Sequence, residues 1–288
     1  MTAKGSGKQM TGEGNDGLAG NAVESVAFLA RSEHRLHVLD LLADGDRSRE
    51  KLRERTDATR VTLSRVLGDL EARGFIQRRN VDGNYELSTF GELVHRDFAR
   101  LLGTVSVGQS YPDLISRLPT DWFDFDLQCL VDGEQVHGES ADPLAGARTV
   151  ANAIREGSSC ASLVGTFTSL PMHAHETDIR VGGDTDVRVV FDSTVTEAML
   201  EDQSLRAKWR GIEDATDSTV YYSLDQRVPC TIDLIDDERV FLTVDREQET
   251  GFDIISCSHP DVVAWADRVI CEYRDSAVPL NQLSASAD

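Results

Sequence analysis

The chain has 288 residues, 40% of them hydrophobic, and a formal net charge of -21. That length suits two domains, and the apolar share suits ordinary cores. No run of about 18 apolar residues occurs, so no membrane-spanning helix is expected. The opening stretch "MTAKGSGKQMTGEGNDGLAG" lacks the apolar segment of a secretory signal. It reads as a disordered tail over residues 1–21, and a cytoplasmic location is expected.

Five cysteines, Cys129, Cys160, Cys230, Cys257 and Cys271, are widely spaced and odd in number. No Cys-x-x-Cys occurs, which argues against a zinc knuckle or a disulfide framework and for buried thiols. Lysine occurs only at Lys4, Lys8, Lys51 and Lys208; every other cation is arginine. So acidic a surface suits a cytoplasm of high salt, where screening removes self-repulsion, and implies a halophilic source. The charge is uneven. Residues 1–108 hold 16 Lys/Arg against 16 Asp/Glu, and the remainder holds 13 against 34. Within Arg47–Arg79 the count is 10 basic against 5 acidic, a basic island in an acidic chain.

In chain order, "NAVESVAFLARSEHRLHVLDLLADG" has helical spacing, with "RSEH" dividing it and Gly45 ending it. "SREKLRERT" reads as a short helix capped by Ser48. "TRVTLSRVLGDLEARG" puts Leu63, Val66, Leu67 and Leu70 on one face and stops at Gly74. Two helices joined by a tight turn form a helix-turn-helix. The outer face of the second carries Thr59, Arg60, Val61, Ser64 and Arg65, with Thr62 beside them. Hydroxyls and guanidinium forks of this kind suit base edges and phosphates in a major groove. "FIQRRNVDGNYELS" then reads as two strands about an Asp82-Gly83 turn. Arg78, Arg79 and Asn84 on that wing are expected to face the DNA backbone or a minor groove.

Residues 22–107 resemble the winged helix-turn-helix of archaeal transcriptional regulators, of the broad ArsR/MarR-like type. The resemblance rests on "LDLLADG" followed by "LRERTDATRVTLSRVLGDLEARGFIQRR". It implies duplex DNA as the partner, with Ser48, Thr59, Arg60, Thr62, Ser64, Arg65, Arg78, Arg79 and Asn84 as the candidate contacts. Some winged helices bind proteins instead; the arginine placement favours DNA.

"STFGELVHRDFARLLGTV" has a capping box at Thr89 and Glu92 and an apolar stripe, Val94, Phe98, Leu101 and Val105. The stripe either pairs with a second copy or packs on its own domain. Pro119 marks a hinge. Beyond it, "DFDLQCLV", "CASLVGTF", "DVRVVFD", "TVYYSL", "CTIDLID", "RVFLTVD" and "GFDIISC" read as strands. "DPLAGARTVANAIREG", "STVTEAMLEDQSLRAKWRG" and "SHPDVVAWADRVICEYR" read as helices, the second with Thr194 and Glu197 as a capping box and the third capped by Ser258.

The order from Asp124 to Leu280 resembles the C-terminal module of archaeal regulators similar to the methanogen filament regulator. "IDLIDDERVFLTVD" and "GFDIISCSHPDVVAWADRVICEYRDSAVPL" carry most of it. A relation to the phospholipase-D-like sensor domains of TrmB-type regulators is conceivable, yet no His has a Lys two positions later. No phosphodiesterase chemistry is expected. "HAHETD" places His173, His175, Glu176 and Asp178 together; a strand there would let both histidines share a metal, and a solvated loop is favoured. His137 and Cys160 have no partner legible in the sequence, and Trp122, Trp209 and Trp265 read as packing residues.

The expected class is α+β: residues 22–91 a winged helix-turn-helix, 92–120 a connecting and dimerising helix region, 121–280 an α/β effector or dimerisation domain, 281–288 a tail. The function expected is a homodimeric, sequence-specific, signal-responsive DNA-binding transcriptional regulator, not an enzyme, needing no cofactor or metal. A small-molecule effector is an open partner, and no membrane is. The alternatives are a winged-helix protein-interaction module and an enzyme domain with a DNA tether.

Overall fold

The computed structural model describes residues 13–79, 81–136, 144–183, 185–246 and 251–284. Its contacts divide into two units, Met1–Ala99 and Arg100–Asp288. Among the described residues no helix is long and apolar enough to cross a membrane.

The first unit opens with α1 (Glu13–Ala30) and α2 (Glu33–Ala43), separated at the predicted "RSEH". α1 begins inside the stretch expected to be a disordered tail, which corrects that expectation from Glu13 onward. Once the apolar end of the helix is anchored, each further turn costs little to propagate. Then come α3 (Arg49–Arg55) and α4 (Arg60–Ala72). The four predicted apolar positions of α4, Leu63, Val66, Leu67 and Leu70, are all buried against Leu39, Leu42 and Leu52. Gly74 ends α4 at a φ of 76°, and Gly83, at 72°, closes the turn between β1 (Ile76–Arg78) and β2 (Tyr85–Leu87). The register sets Ile76 opposite Leu87. Arg47 and Tyr85 exchange backbone hydrogen bonds of 2.9 Å on the far edge of β2.

α5 (Thr89–Ser110) follows. Its cap is Ser88, not Thr89: the Ser88 hydroxyl accepts from the Gly91 N–H at 2.9 Å, while the Ser88 N–H donates to the Phe75 carbonyl. The backbone anchor on Phe75 places the cap one residue earlier than the capping-box pattern implies. The predicted stripe of α5 is divided. Phe98 lies in the core of this unit with Val94 packed against it, whereas Leu101 and Val105 are exposed. Val94 and Phe98 are therefore not an open seam, because their side of the helix meets the module's own core.

The second unit continues α5 into α6 (Pro112–Ile115). The strand expected in "DFDLQCLV" is absent. A 3-10 turn, Leu127–Leu130, stands there, and Phe123 and Phe125 pack on Trp265 with ring centres 5.1 and 5.2 Å away. Its alternating apolar pattern reflects aromatic anchoring rather than a pleat. The chain proceeds through β3 (Glu134–Val136), α7 (Ala145–Glu156), β4 (Ser159–Val164), α8 (Leu170–Arg180) and β5 (Asp186–Phe191). The single helix expected next is two, α9 (Ser193–Glu201) and α10 (Gln203–Thr216), parted at Asp202. The Asp202 carboxylate accepts from the N–H groups of Ser204 and Leu205 and so restarts the helix. α9 is capped by Asp192, which accepts from the Val195 N–H at 2.8 Å, not by Thr194. The remainder is β6 (Tyr221–Ser223), β7 (Thr231–Ile235), β8 (Arg239–Asp245), β9 (Phe252–Cys257), α11 (Pro260–Ser276), β10 (Val278–Pro279) and α12 (Leu280–Ser284). The cap of α11 is His259, whose ring accepts from the Asp261 N–H, rather than Ser258. α12 lies in part within the expected tail.

These strands form one eight-stranded sheet in the order β10-β6-β5-β4-β7-β8-β9-β3. β4, β5 and β6 run parallel; the other pairings are antiparallel. Alternate strand residues feed two cores, as the pleat requires. Leu163, Ile232 and Leu242 join Val262, Trp265 and Val269 of α11. Cys160, Val164 and Val189 join Val150 of α7, Met172 of α8 and Trp209 of α10. The class is α+β, a winged helix-turn-helix followed by a mixed-sheet domain. Four cysteines are buried as expected; Cys271 is exposed, which corrects that expectation.

Candidate nucleic-acid interface

The N-termini of α3 and α4 are each fixed by a side-chain cap. The Ser48 hydroxyl accepts from the Lys51 N–H at 3.3 Å, and the Thr59 hydroxyl accepts from the Thr62 N–H at 3.2 Å. Thr59 and Thr62 hydroxyls also meet at 2.9 Å. Ser48, Thr59 and Thr62 thus hold the ends of the two helices. A capping hydroxyl oxygen is already engaged as acceptor, so their first role is to set the geometry.

The exposed face of α4 carries Arg60, Val61, Ser64 and Arg65. Ser64 is hydrogen-bonded by the guanidinium of Arg49 on α3. Among the described residues, the side chains of Arg60 and Arg65 have no hydrogen bond and no ion pair, and neither do those of Lys51 and Arg55. Val61, next to Arg60 on the same helix, is 80% exposed. Arg49, Arg53 and Arg60 line a shallow depression between α3 and α4. Sequence reasoning did not select Arg49 and Arg53; the signal available for them was the basic count of the island.

The wing differs. Arg78 donates to the Tyr85 hydroxyl at 2.6 Å, lies 4.9 Å from the centre of that ring and pairs with Glu71 at 3.6 Å. Arg79 pairs with Asp46 at 3.2 Å and with Glu86 at 3.6 Å. The Asn84 amide donates to Asp46 and Asp82. The Asn84 hydrogen bond, with Arg79 beside it, holds the Asp46 carboxyl below its usual range. All three wing candidates are therefore engaged within the module rather than open to a backbone. Arg73 is structural as well: it and Arg35 cover Phe28 at 4.2 and 3.7 Å.

"HAHETD" lies in α8, not in a loop or strand. Residues two apart on a helix point about 200° from each other. His175 is buried, while His173 is exposed and meets the Lys208 ammonium at 2.8 Å. His137 lies outside the described residues. Elsewhere, Cys129, His259 and Asp261 bring one ligand atom each to within 4.8 Å of one another, a grouping that could hold a metal ion. Burial pushes the Cys129 thiol up, which opposes the thiolate a metal needs.

Residues 23–110 match the family described as HVO_A0261 N-terminal domain. No curated protein matches the chain in sequence. Among solved structures, TrmBL2, an archaeal chromatin protein described as showing a novel mode of DNA binding, aligns at 11% identity over 88% of this chain and 98% of its own, with a TM-score of 0.37. The homodimeric winged helix-turn-helix DNA-binding domain of Mb0332 from Mycobacterium bovis aligns at 26% identity over 35% of this chain and 94% of its own, with a TM-score of 0.30. Nuc, a phospholipase D family member from Salmonella typhimurium, aligns at 15% identity over 51% and 97%, with a TM-score of 0.38. The family match covers the module that carries the helix-turn-helix and wing: residues 23–110 are similar to the HVO_A0261 N-terminal domain.

Proposed function

We propose that this protein is a homodimeric, sequence-specific DNA-binding transcriptional regulator whose C-terminal domain responds to a signal, and that it is not an enzyme. The observation that carries this reading is a set of cations without a partner among the described residues, on the outer face of a helix-turn-helix in a chain of net charge -21. An acidic protein with acids to spare would neutralise them internally, as it does for Arg78 and Arg79. Duplex DNA supplies the missing partner: Arg60 and Arg65 suit guanine edges or phosphates, and Val61 suits a thymine methyl. High salt weakens the counterion-release contribution, so base contacts and shape carry more of the affinity.

The test is selection of a preferred duplex from a random pool by the full chain, followed by titration. Arg60→Ala and Arg65→Ala should weaken binding to the selected duplex. Replacement of Arg78 and Arg79 should do less, since their carboxylate partners compete with phosphate. If the folded wild-type chain prefers no duplex over the random pool, the reading fails. Capture of a protein through the Val61 face would then favour the interaction-module alternative.

A further inference from the structure

The mixed-sheet domain holds a cavity between the sheet and helices α7 and α8. Its volume is about 60 Å³, room for roughly four or five water-sized groups. Most of its wall is apolar, from Val150, Ile154, Met172, Val189, Phe191 and Ile254. Its floor is not. Register sets Ser162 opposite Asp233 and Thr231 opposite Thr243, so four polar side chains lie side by side on one sheet face.

These groups are unequally satisfied. The Thr231 hydroxyl is engaged: it accepts from the N–H groups of Gly165 and Thr166. Ser162 donates to one oxygen of Asp233 at 2.6 Å. That is the one hydrogen bond the Asp233 side chain makes among the described residues, and Asp233 is 95% buried by its 5% exposure. From α8, His175 also lines the cavity at 2% exposure, and neither of its ring nitrogens has a partner. Buried polar groups normally have partners, and a buried carboxylate normally has a cation. The residues lining this cavity include no Lys or Arg.

Burial pushes the Asp233 carboxyl up to about 6, so it is mostly ionised at neutral pH. Burial moves His175 the other way and keeps it neutral, one ring nitrogen accepting and the other donating. An anion would meet Asp233 with no cation to offset it. An ammonium instead brings the missing charge and three donors.

We propose that this cavity binds a small primary amine with a short branched apolar body, its ammonium paired with Asp233 and donating to the neutral ring of His175. The proposal names a site and a ligand class for the signal response suggested above, and binding itself is independent of DNA.

The test is calorimetric and NMR titration of the full chain, without DNA, using isobutylamine, isobutanol and isobutyrate. Isobutylamine should bind saturably, isobutanol at least about tenfold more weakly, and isobutyrate not at all, as a hydrogen bond to a charged group implies. Asp233→Asn should remove most of the amine's advantage over the alcohol. Ala147→Leu, which adds bulk from the α7 wall and replaces no polar group, should weaken both. Equal binding of amine and alcohol to the wild type would overturn the proposal, as would absence of saturable amine binding. So would full amine affinity in folded Asp233→Asn. Because the wild-type comparison needs no variant, a failure of Asp233→Asn to fold leaves the proposal testable. Amine binding with no selected duplex would leave this site standing and the DNA reading refuted; the reverse outcome would do the opposite.

Discussion

Among the described residues Arg65 is an exposed cation without a hydrogen-bond or ion-pair partner, so its removal should be felt by a ligand and not by the fold. Arg65→Ala is expected to weaken binding to the selected duplex by about 1–3 kcal/mol if the guanidinium reads a base. The thermal midpoint should move little, because an exposed site with no partner changes stability by about 0.5 kcal/mol or less. A fluorescence titration paired with a melt separates the two; unchanged affinity in both Arg60→Ala and Arg65→Ala would remove α4 from the interface. Asp233 makes the opposite case. Its folded carboxyl is raised to about 6 from an ordinary value of 3.8. The folded state therefore binds more protons than the unfolded one between those values, and wild-type stability falls as pH rises through that window. Above it the cost levels off at on the order of 3 kcal/mol. Asp233→Asn keeps an acceptor for Ser162 and carries no charge. It should be more stable than wild type at neutral pH, with the gain vanishing as pH falls below about 4. Denaturant titrations across that range check the sign. A loss of stability at neutral pH would mean that Asp233 has a cationic partner.

At the scale of elements, α5 is constrained at its start and open in its middle. A Cβ on Gly91 would stand 1.8 Å from the Phe75 carbonyl oxygen, which is backbone and cannot swing aside. Gly91→Ala must push the helix start off the Phe75 backbone and should cost about 1–3 kcal/mol or more. Gly68 in α4 has nothing within 4 Å of such a Cβ, so Gly68→Ala should be neutral or stabilise by up to about 1 kcal/mol. Matched thermal melts decide whether the first contrast holds. Farther along α5, Leu101 and Val105 are exposed, as are Phe90 and Leu93. If a second copy covers them, Leu101→Glu with Val105→Glu should give folded monomers by light scattering. Phe98→Glu should instead unfold the module, since it puts a charge in the core. A wild-type monomer at micromolar concentration would rule the seam out.

For the whole molecule, the acidic excess lies after residue 108, where 34 acidic residues face 13 basic ones. At a salt concentration near 1 M the screening length falls to about 3 Å, and self-repulsion largely disappears. Raising KCl should therefore raise the melting midpoint more than an uncharged osmolyte at equal osmolality does. The same salt should lower duplex affinity, because releasing condensed counterions into concentrated salt gains less entropy. A midpoint insensitive to KCl would remove the argument for a high-salt setting.

The helix-turn-helix was legible in the order of residues because its determinants are local. The apolar spacing of Leu63, Val66, Leu67 and Leu70 makes one helix face, and Gly74 and Gly83 supply the left-handed turns. The exposed arginines of α4 follow from the same periodicity. What the sequence could not decide is which polar groups meet. Arg78 and Arg79 look like Arg60 and Arg65 until Glu71, Asp46 and Glu86 arrive beside them, from as far as Asp46 is from Arg79 along the chain. "HAHETD" and "DFDLQCLV" depart from their expected conformations because a few residues of mixed polarity do not distinguish helix, loop and strand without their neighbours. The cavity is a product of tertiary structure alone. Ser162, His175 and Asp233 are ordinary residues in their own segments, and only the pairing of β4 with β7 and the packing of α8 over the sheet bring them to one cavity. Local spacing fixes which face of an element is apolar; burial and partnership depend on the three-dimensional path that brings distant elements together.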